Sequence, residues 1–178
     1  MRSQQFSFFA RAPLDYGGNV RAGKRKIQRP FDRKRPVHLV FRSSRAKGEW
    51  SFLNRRNKGR VHALLLELTQ KYGIKLYQFE NVGNHLHLLA KFPGRSELKT
   101  FLRVFTQRLM FLVTGARKGN PRGRFFDGIA YSKVISWGRE FSAVKAYLWK
   151  NALESLGFSS REIAKWREAE RKARMDAG

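Results

Sequence analysis

The stretch IKLYQFENVGNHLHLLAKF, Ile74 to Phe92, decides how this chain folds. Its first half, Ile74 to Asn81, reads as a β-strand. Asn81, Val82, Gly83 and Asn84 supply turn residues, and His85 to Phe92 reads as the returning strand of a hairpin. Successive side chains of a strand point to opposite faces, so His85 and His87 share one face while Leu86 and Leu88 take the other. Two imidazoles placed this way can share a metal ion, or they can be ordinary partly buried residues. The hairpin alone leaves both readings open.

Upstream, RPVHLVFRSS (Arg35 to Ser44) reads as a strand with Val37, Leu39 and Phe41 on one face. From Arg56 to Tyr72, the apolar positions Val61, Leu64, Leu65, Leu68 and Tyr72 repeat at helical spacing, and Gly73 ends that helix. Downstream, Ser96 is positioned to cap a helix. Its stripe is Leu98, Phe101, Leu102, Phe105, Leu109, Leu112 and Val113, and it closes at Gly115. AYSKVIS (Ala130 to Ser136) suggests a fourth strand. EFSAVKAYLWKNALESLGF, Glu140 to Phe158, reads as a helix packing through Phe141, Val144, Leu148 and Ala152. SSREIAKWREAERKARM, from Ser159, is a final polar helix opened by a capping serine and a following glutamate. The order is β-α-β-β-α-β plus two helices. That pattern predicts an α+β, ferredoxin-like antiparallel sheet with helices on one face, followed by a C-terminal helix and a further polar helix. The organisation expected is a basic irregular arm over 1–34, one folded domain over 35–158 and a polar helix over 159–178.

Charge narrows the function. The chain carries 38 Lys and Arg against 13 Asp and Glu, a formal net charge of +25 over 178 residues. Residues 21–60 hold fifteen basic side chains and only Asp32 and Glu49 as acids. A second run, GARKGNPRGR from Gly115 to Arg124, sets four basic residues among glycines. One charge run is usually a solvated face, but two separated runs with this net charge favour a nucleic-acid partner. The expected contacts are Lys24, Arg25, Lys26, Arg33, Lys34 and Arg35 in the arm, Arg42, Arg45 and Lys47 after the first strand, and Arg117, Lys118, Arg122 and Arg124 in the glycine-rich loop. Cysteine is absent, which removes disulfides, thiolate zinc sites and cysteine nucleophiles. No window approaches a membrane span and the opening residues lack a signal-peptide core, so the expected location is the cytoplasm, with no membrane partner.

Tyr147 and Asn151 lie four apart and therefore share a helix face. Two imidazoles and an amide oxygen leave open positions on a divalent ion, which can grip a phosphate oxygen as a Lewis acid. A tyrosine beside it can attack phosphorus and become covalently linked.

NHLHLL resembles the histidine–bulky apolar–histidine (HUH) motif of single-tyrosine nucleases. The segment from Gly123 to Phe158 is similar to the region around the catalytic tyrosine of REP-associated tyrosine transposases, where asparagine follows the tyrosine by four residues. RPVHLVFRSSRAKG resembles the opening strand of the same family, and the likeness spans roughly residues 30 to 158. The resemblance implies that His85 and His87 bind a metal, that Asn151 is the third ligand and that Tyr147 is the nucleophile. It also implies Mg²⁺ or Mn²⁺ as cofactor and single-stranded or hairpin DNA as substrate. The reaction would be cleavage through a 5′-phosphotyrosine link, by a monomer or homodimer. Many relatives have proline after the asparagine, where this chain has Ala152.

Two other readings compete: a non-catalytic DNA- or RNA-binding protein that keeps the fold, and a basic subunit of a nucleoprotein particle. Binding alone requires neither the histidine pair nor Tyr147 and Asn151, so their presence favours the enzyme. His38 is expected to be a half-buried strand residue, His62 a surface residue, Tyr77 and Phe79 packing residues, and Glu154 an exposed helix glutamate.

Overall fold

A computed structural model describes residues 14–18, 27–117, 119 and 123–176, with the side chains of 167 and 170–176 excepted. Among the described residues, five strands and four α-helices follow one another: β1 (Asp15–Tyr16), β2 (Val37–Arg42), α1 (Arg55–Lys71), β3 (Lys75–Asn81), β4 (His85–Lys91), α2 (Arg95–Thr114), β5 (Tyr131–Val134), α3 (Arg139–Ser155) and α4 (Ser160–Asp176). The sheet order is β1-β5-β2-β4-β3, and every pairing is antiparallel. Strands β2 to β5, in the order β5-β2-β4-β3, reproduce the ferredoxin-like arrangement, in which β2 and β4 lie at the centre.

The alternation that predicted the hairpin also divides the sheet into two faces. Val37, Leu39 and Phe41 of β2 join Leu86, Leu88 and Ala90 of β4 in one core, beneath α1 and α2. Those helices contribute Val61, Leu64, Leu65 and Leu68, and Leu98, Phe101, Phe105, Leu109 and Val113. The opposite face carries a much smaller core of Leu89, Ile135 and Leu148, flanked by the half-buried Tyr77, Phe141 and Val144. So α1 and α2 cover one face, and α3 lies across the other.

The turn between β3 and β4 requires its glycine. Gly83 has φ +90°, and its N–H donates to the Asn81 side chain at 3.1 Å. A residue with a Cβ is strained in that region.

Three details depart from the sequence expectation. Asp15–Tyr16, within the arm expected to be irregular, adds an edge strand to β5. It fits closely because Gly17 has no side chain: a Cβ there would stand 2.3 Å from the Ala130 carbonyl oxygen. Ser96 does not cap α2; the cap position is Gly94, and the Ser96 hydroxyl donates to Glu97 instead. Helix α4 is not wholly polar, because Ile163 is buried. Its expected cap does form: the Ser159 hydroxyl accepts from the Glu162 N–H at 3.3 Å, and the Glu162 carboxylate accepts from the Ser159 N–H at 2.8 Å.

Candidate active site

Register places the histidines. In the β2–β4 ladder Arg42 faces His85, Val40 faces His87 and His38 faces Leu89. His85, His87 and Leu89 therefore point to the α3 side of the sheet. Leu148 packs against Leu89 there, and its neighbour Tyr147 is turned outward, half exposed at 51%. The tyrosine ring meets His87 edge to face, with centroids 6.1 Å apart, while His85 and His87 lie 4.7 Å apart. A strand and a helix far apart in sequence, β4 and α3, thus supply one constellation.

Around it lies a cleft of about 790 Å³. Val40, Arg42, His85, His87, Tyr131 and Tyr147 line it, with Arg124, Asp127 and Ile129 along the loop side. Asn151 sits one turn beyond Tyr147 on the same helix face, half-buried, and its amide has no hydrogen-bond partner among the described residues.

The polar atoms are arranged unevenly. His85 Nδ1 lies 2.6 Å from the Asn84 side-chain oxygen. That oxygen can only accept, so Nδ1 carries the proton and the lone pair of the neutral ring is on Nε2. His87 Nδ1 lies 3.2 Å from His38 Nε2, whereas its Nε2 is buried with no hydrogen-bond partner. A buried nitrogen left bare costs free energy unless a water or an ion meets it. Burial lowers the pKa of all three imidazoles. His87 falls to about 3, with His38 and His85 adding repulsion, and His38 to about 4, with Lys133 adding repulsion. His85 is lowered by burial and by neighbouring Arg42. At neutral pH all three are uncharged, the state that can ligate a metal. Among the described residues no set of three His, Cys, Asp or Glu is placed for a metal. An ion on His85 and His87 would need an amide or hydroxyl as a further protein donor, and Asn151 is not among the residues that line the cleft.

The basic residues divide into groups. Arg42 and Arg124 reach the cleft. Arg42 pairs with Asp127 at 3.5 Å, and Asp127 is itself fixed by the Ser44 N–H at 2.7 Å and the Ser44 hydroxyl at 2.8 Å. Arg45 donates to the Arg124 carbonyl at 2.8 Å and lies over the Trp50 ring, and Lys47 and Arg117 are exposed nearby in sequence. Arg33, Lys34 and Arg35 precede β2, whose six residues span about 17 Å at the usual strand rise, so they lie at the opposite end of that strand from Arg42. Lys24, Arg25, Lys26, Lys118 and Arg122 lie outside the described residues.

His38 departs from its expected role. Rather than a half-buried strand residue, it is only 8% exposed and bonded to His87. Asp127, Ile129 and Tyr131 were not singled out as site residues from sequence. Asp127 and Ile129 lie in a loop with no period to read, and only the β2–β5 pairing brings Tyr131, the first residue of β5, opposite Val40. His62 is exposed, Tyr77 packs against Trp137 and Phe141, and Phe79 is partly buried against the main core. Glu154 pairs with Lys150 at 3.4 Å on the surface.

Residues 34–151 match the family model described as "Transposase IS200 like". Among solved structures, the chain is similar to that of "a putative transposase from deinococcus radiodurans r1", at 15% identity and a TM-score of 0.44, covering 71% of this chain and 98% of that one. No curated protein sequence matches. Among the described residues, no helix is long and apolar enough to cross a membrane.

Proposed function

The chain belongs to the family of IS200-like transposases, and from that premise we propose that it is a metal-dependent, single-strand DNA nuclease and strand-transferase with Tyr147 as nucleophile. The observation that carries this reading is the meeting of Tyr147 with His85 and His87 in a cleft edged by Arg42 and Arg124.

His85 Nε2, His87 Nε2 and the Asn151 amide oxygen would hold a divalent ion, Mg²⁺ or Mn²⁺. Bound there, the ion would withdraw charge from a scissile phosphate and favour the phenolate of a nearby tyrosine. Arg42 and Arg124 add fixed positive charge beside the phosphate path. Tyr147 is exposed enough to meet a strand in the cleft. Its Oη attacks phosphorus, the P–O3′ bond breaks, and the leaving oxygen takes up a proton to become a free 3′-hydroxyl. The DNA is left on Tyr147 through a 5′-phosphotyrosine. One phosphoester replaces another, so a second 3′-hydroxyl can reverse the step and join strands without ATP. The excess of basic residues suits a folded single strand, such as a hairpin beside a short unpaired segment.

Incubation with hairpin oligonucleotides and Mn²⁺ tests the proposal. A denaturation-resistant protein–DNA band should form, and chelation should prevent it. Specific hairpin binding with no adduct on any oligonucleotide would favour the binding-only alternative.

A further inference from the structure

His38 is a buried polar side chain that the reaction above does not use. It lies on β2 diagonally across from His87. Its Nε2 is 3.2 Å from His87 Nδ1, and the two rings are nearly parallel, 14° apart in plane. The edge of Tyr131 closes its other side, with ring centroids 6.2 Å apart. Packing alone would be served as well by an apolar ring. The position of the nitrogens is what sets His38 apart.

A histidine that gives Nε2 to a metal must carry its proton on Nδ1, and the partner of that proton fixes both tautomer and ring orientation. His85 has such a partner in Asn84 Oδ1. Among the described residues, His87 has one neighbour able to serve, His38 Nε2, and its own Nε2 has no partner. The two rings of the pair are thus supported in the same way, each through Nδ1.

We infer that His38 is a positioning residue for the metal site, accepting the Nδ1 proton of His87 and so presenting the Nε2 lone pair of His87 to the ion. This rests on the metal reading of His85 and His87 proposed above. It makes a prediction about the metal-free protein as well as the loaded one. With Nε2 accepting, His38 must carry its own proton on Nδ1, so the two rings hold complementary protons.

Two measurements on the full chain decide it. Long-range ¹H–¹⁵N correlation spectra of the metal-free protein at neutral pH should show His87 protonated at Nδ1 and bare at Nε2. An Nε2-protonated His87 would overturn the inference, and this spectrum needs no variant that folds. Calorimetric titration with Mn²⁺ then compares wild type, His38→Phe, His38→Gln and His87→Ala. His38→Phe keeps a ring of similar size but cannot accept, and should weaken Mn²⁺ binding about 10- to 100-fold. His38→Gln, whose side-chain carbonyl can accept, should recover much of the loss. If wild type binds through His87 and a folded His38→Phe binds equally well, the role of His38 falls alone. If wild type takes up no Mn²⁺, or His87→Ala leaves uptake intact, the metal site falls and His38 with it.

Discussion

Replacing Leu148 with alanine should loosen the helix that carries Tyr147 while leaving the rest of the domain folded. Leu148 is fully buried in the small core that joins α3 to the sheet, with only Leu89 and Ile135 equally enclosed. Polar contacts add little: Gln78 Nε2 donates to the Lys145 carbonyl at 3.3 Å, and Glu140 holds the helix start through the Ser136 N–H at 2.8 Å and Lys133 at 2.9 Å. A buried Leu→Ala change costs roughly 2–5 kcal/mol, less where neighbours can collapse into the space. The half-buried Tyr77, Phe141 and Val144 can do so, which argues for about 3 kcal/mol. If α3 opens as a local unit, that loss converts to roughly 100-fold faster amide exchange along residues 142–152. Leu65→Ala, in the core beneath α1, is the control. Contacts of Leu65 survive when α3 alone opens, so this change lowers global stability but should leave α3 exchange nearly unaltered. Hydrogen exchange read by mass spectrometry compares the two. Equal acceleration of α3 in both variants would refute the argument, because α3 would then open only with the whole domain.

Three further outcomes are expected. His85→Ala and His87→Ala should each abolish cleavage while hairpin affinity, measured by anisotropy in chelator, stays close to wild type. Metal-free protein should gain stability as pH rises from about 4.5 to 6.5. The unfolded chain binds protons at His38 and His87 in that window, while in the folded chain their pKa values lie at about 4 and about 3. The slope is at most about 1.4 kcal/mol per pH unit for each histidine, and His38→Phe should remove its share, as urea titrations at several pH values can show. Single-strand binding should weaken by about 0.7 log units per log unit of salt for each phosphate contacted, and the pair Arg42→Gln and Arg124→Gln should lower that slope by roughly 1.4.

Much of the architecture could be read from the sequence because the period-2 and period-3.6 patterns are clean. The stripe of α1 and the alternation in β2 and β4 each put the expected residues in the main core. The face pairing His85 with His87 followed from the same alternation. Less could be read where geometry is set by contacts between distant segments. The two-residue β1 is too short to show a period, and it exists because β5 offers an edge and Gly17 allows close approach. The helix cap at Gly94 uses no side chain, so Ser96 looked like the better candidate. His38 became visible as a site residue only through register, which sets it diagonal to His87; strand order alone gives neighbours but not the offset. Asp127 acts through Ser44 and Arg42, more than eighty residues away, and nothing in its local sequence announces that.

The most direct test of Tyr147 as nucleophile is to map the covalent link. Wild-type protein incubated with a cleavable hairpin oligonucleotide and Mn²⁺, then digested with trypsin and nuclease, should yield one peptide carrying a nucleotide phosphate, with tandem mass spectrometry placing it on Tyr147. Tyr147→Phe should give no such peptide and no cleavage, with an unchanged melting temperature, since the side chain is half exposed and its hydroxyl has no hydrogen-bond partner among the described residues. A modified peptide centred on Tyr131 or Tyr77, or undiminished cleavage by Tyr147→Phe, would contradict the proposal.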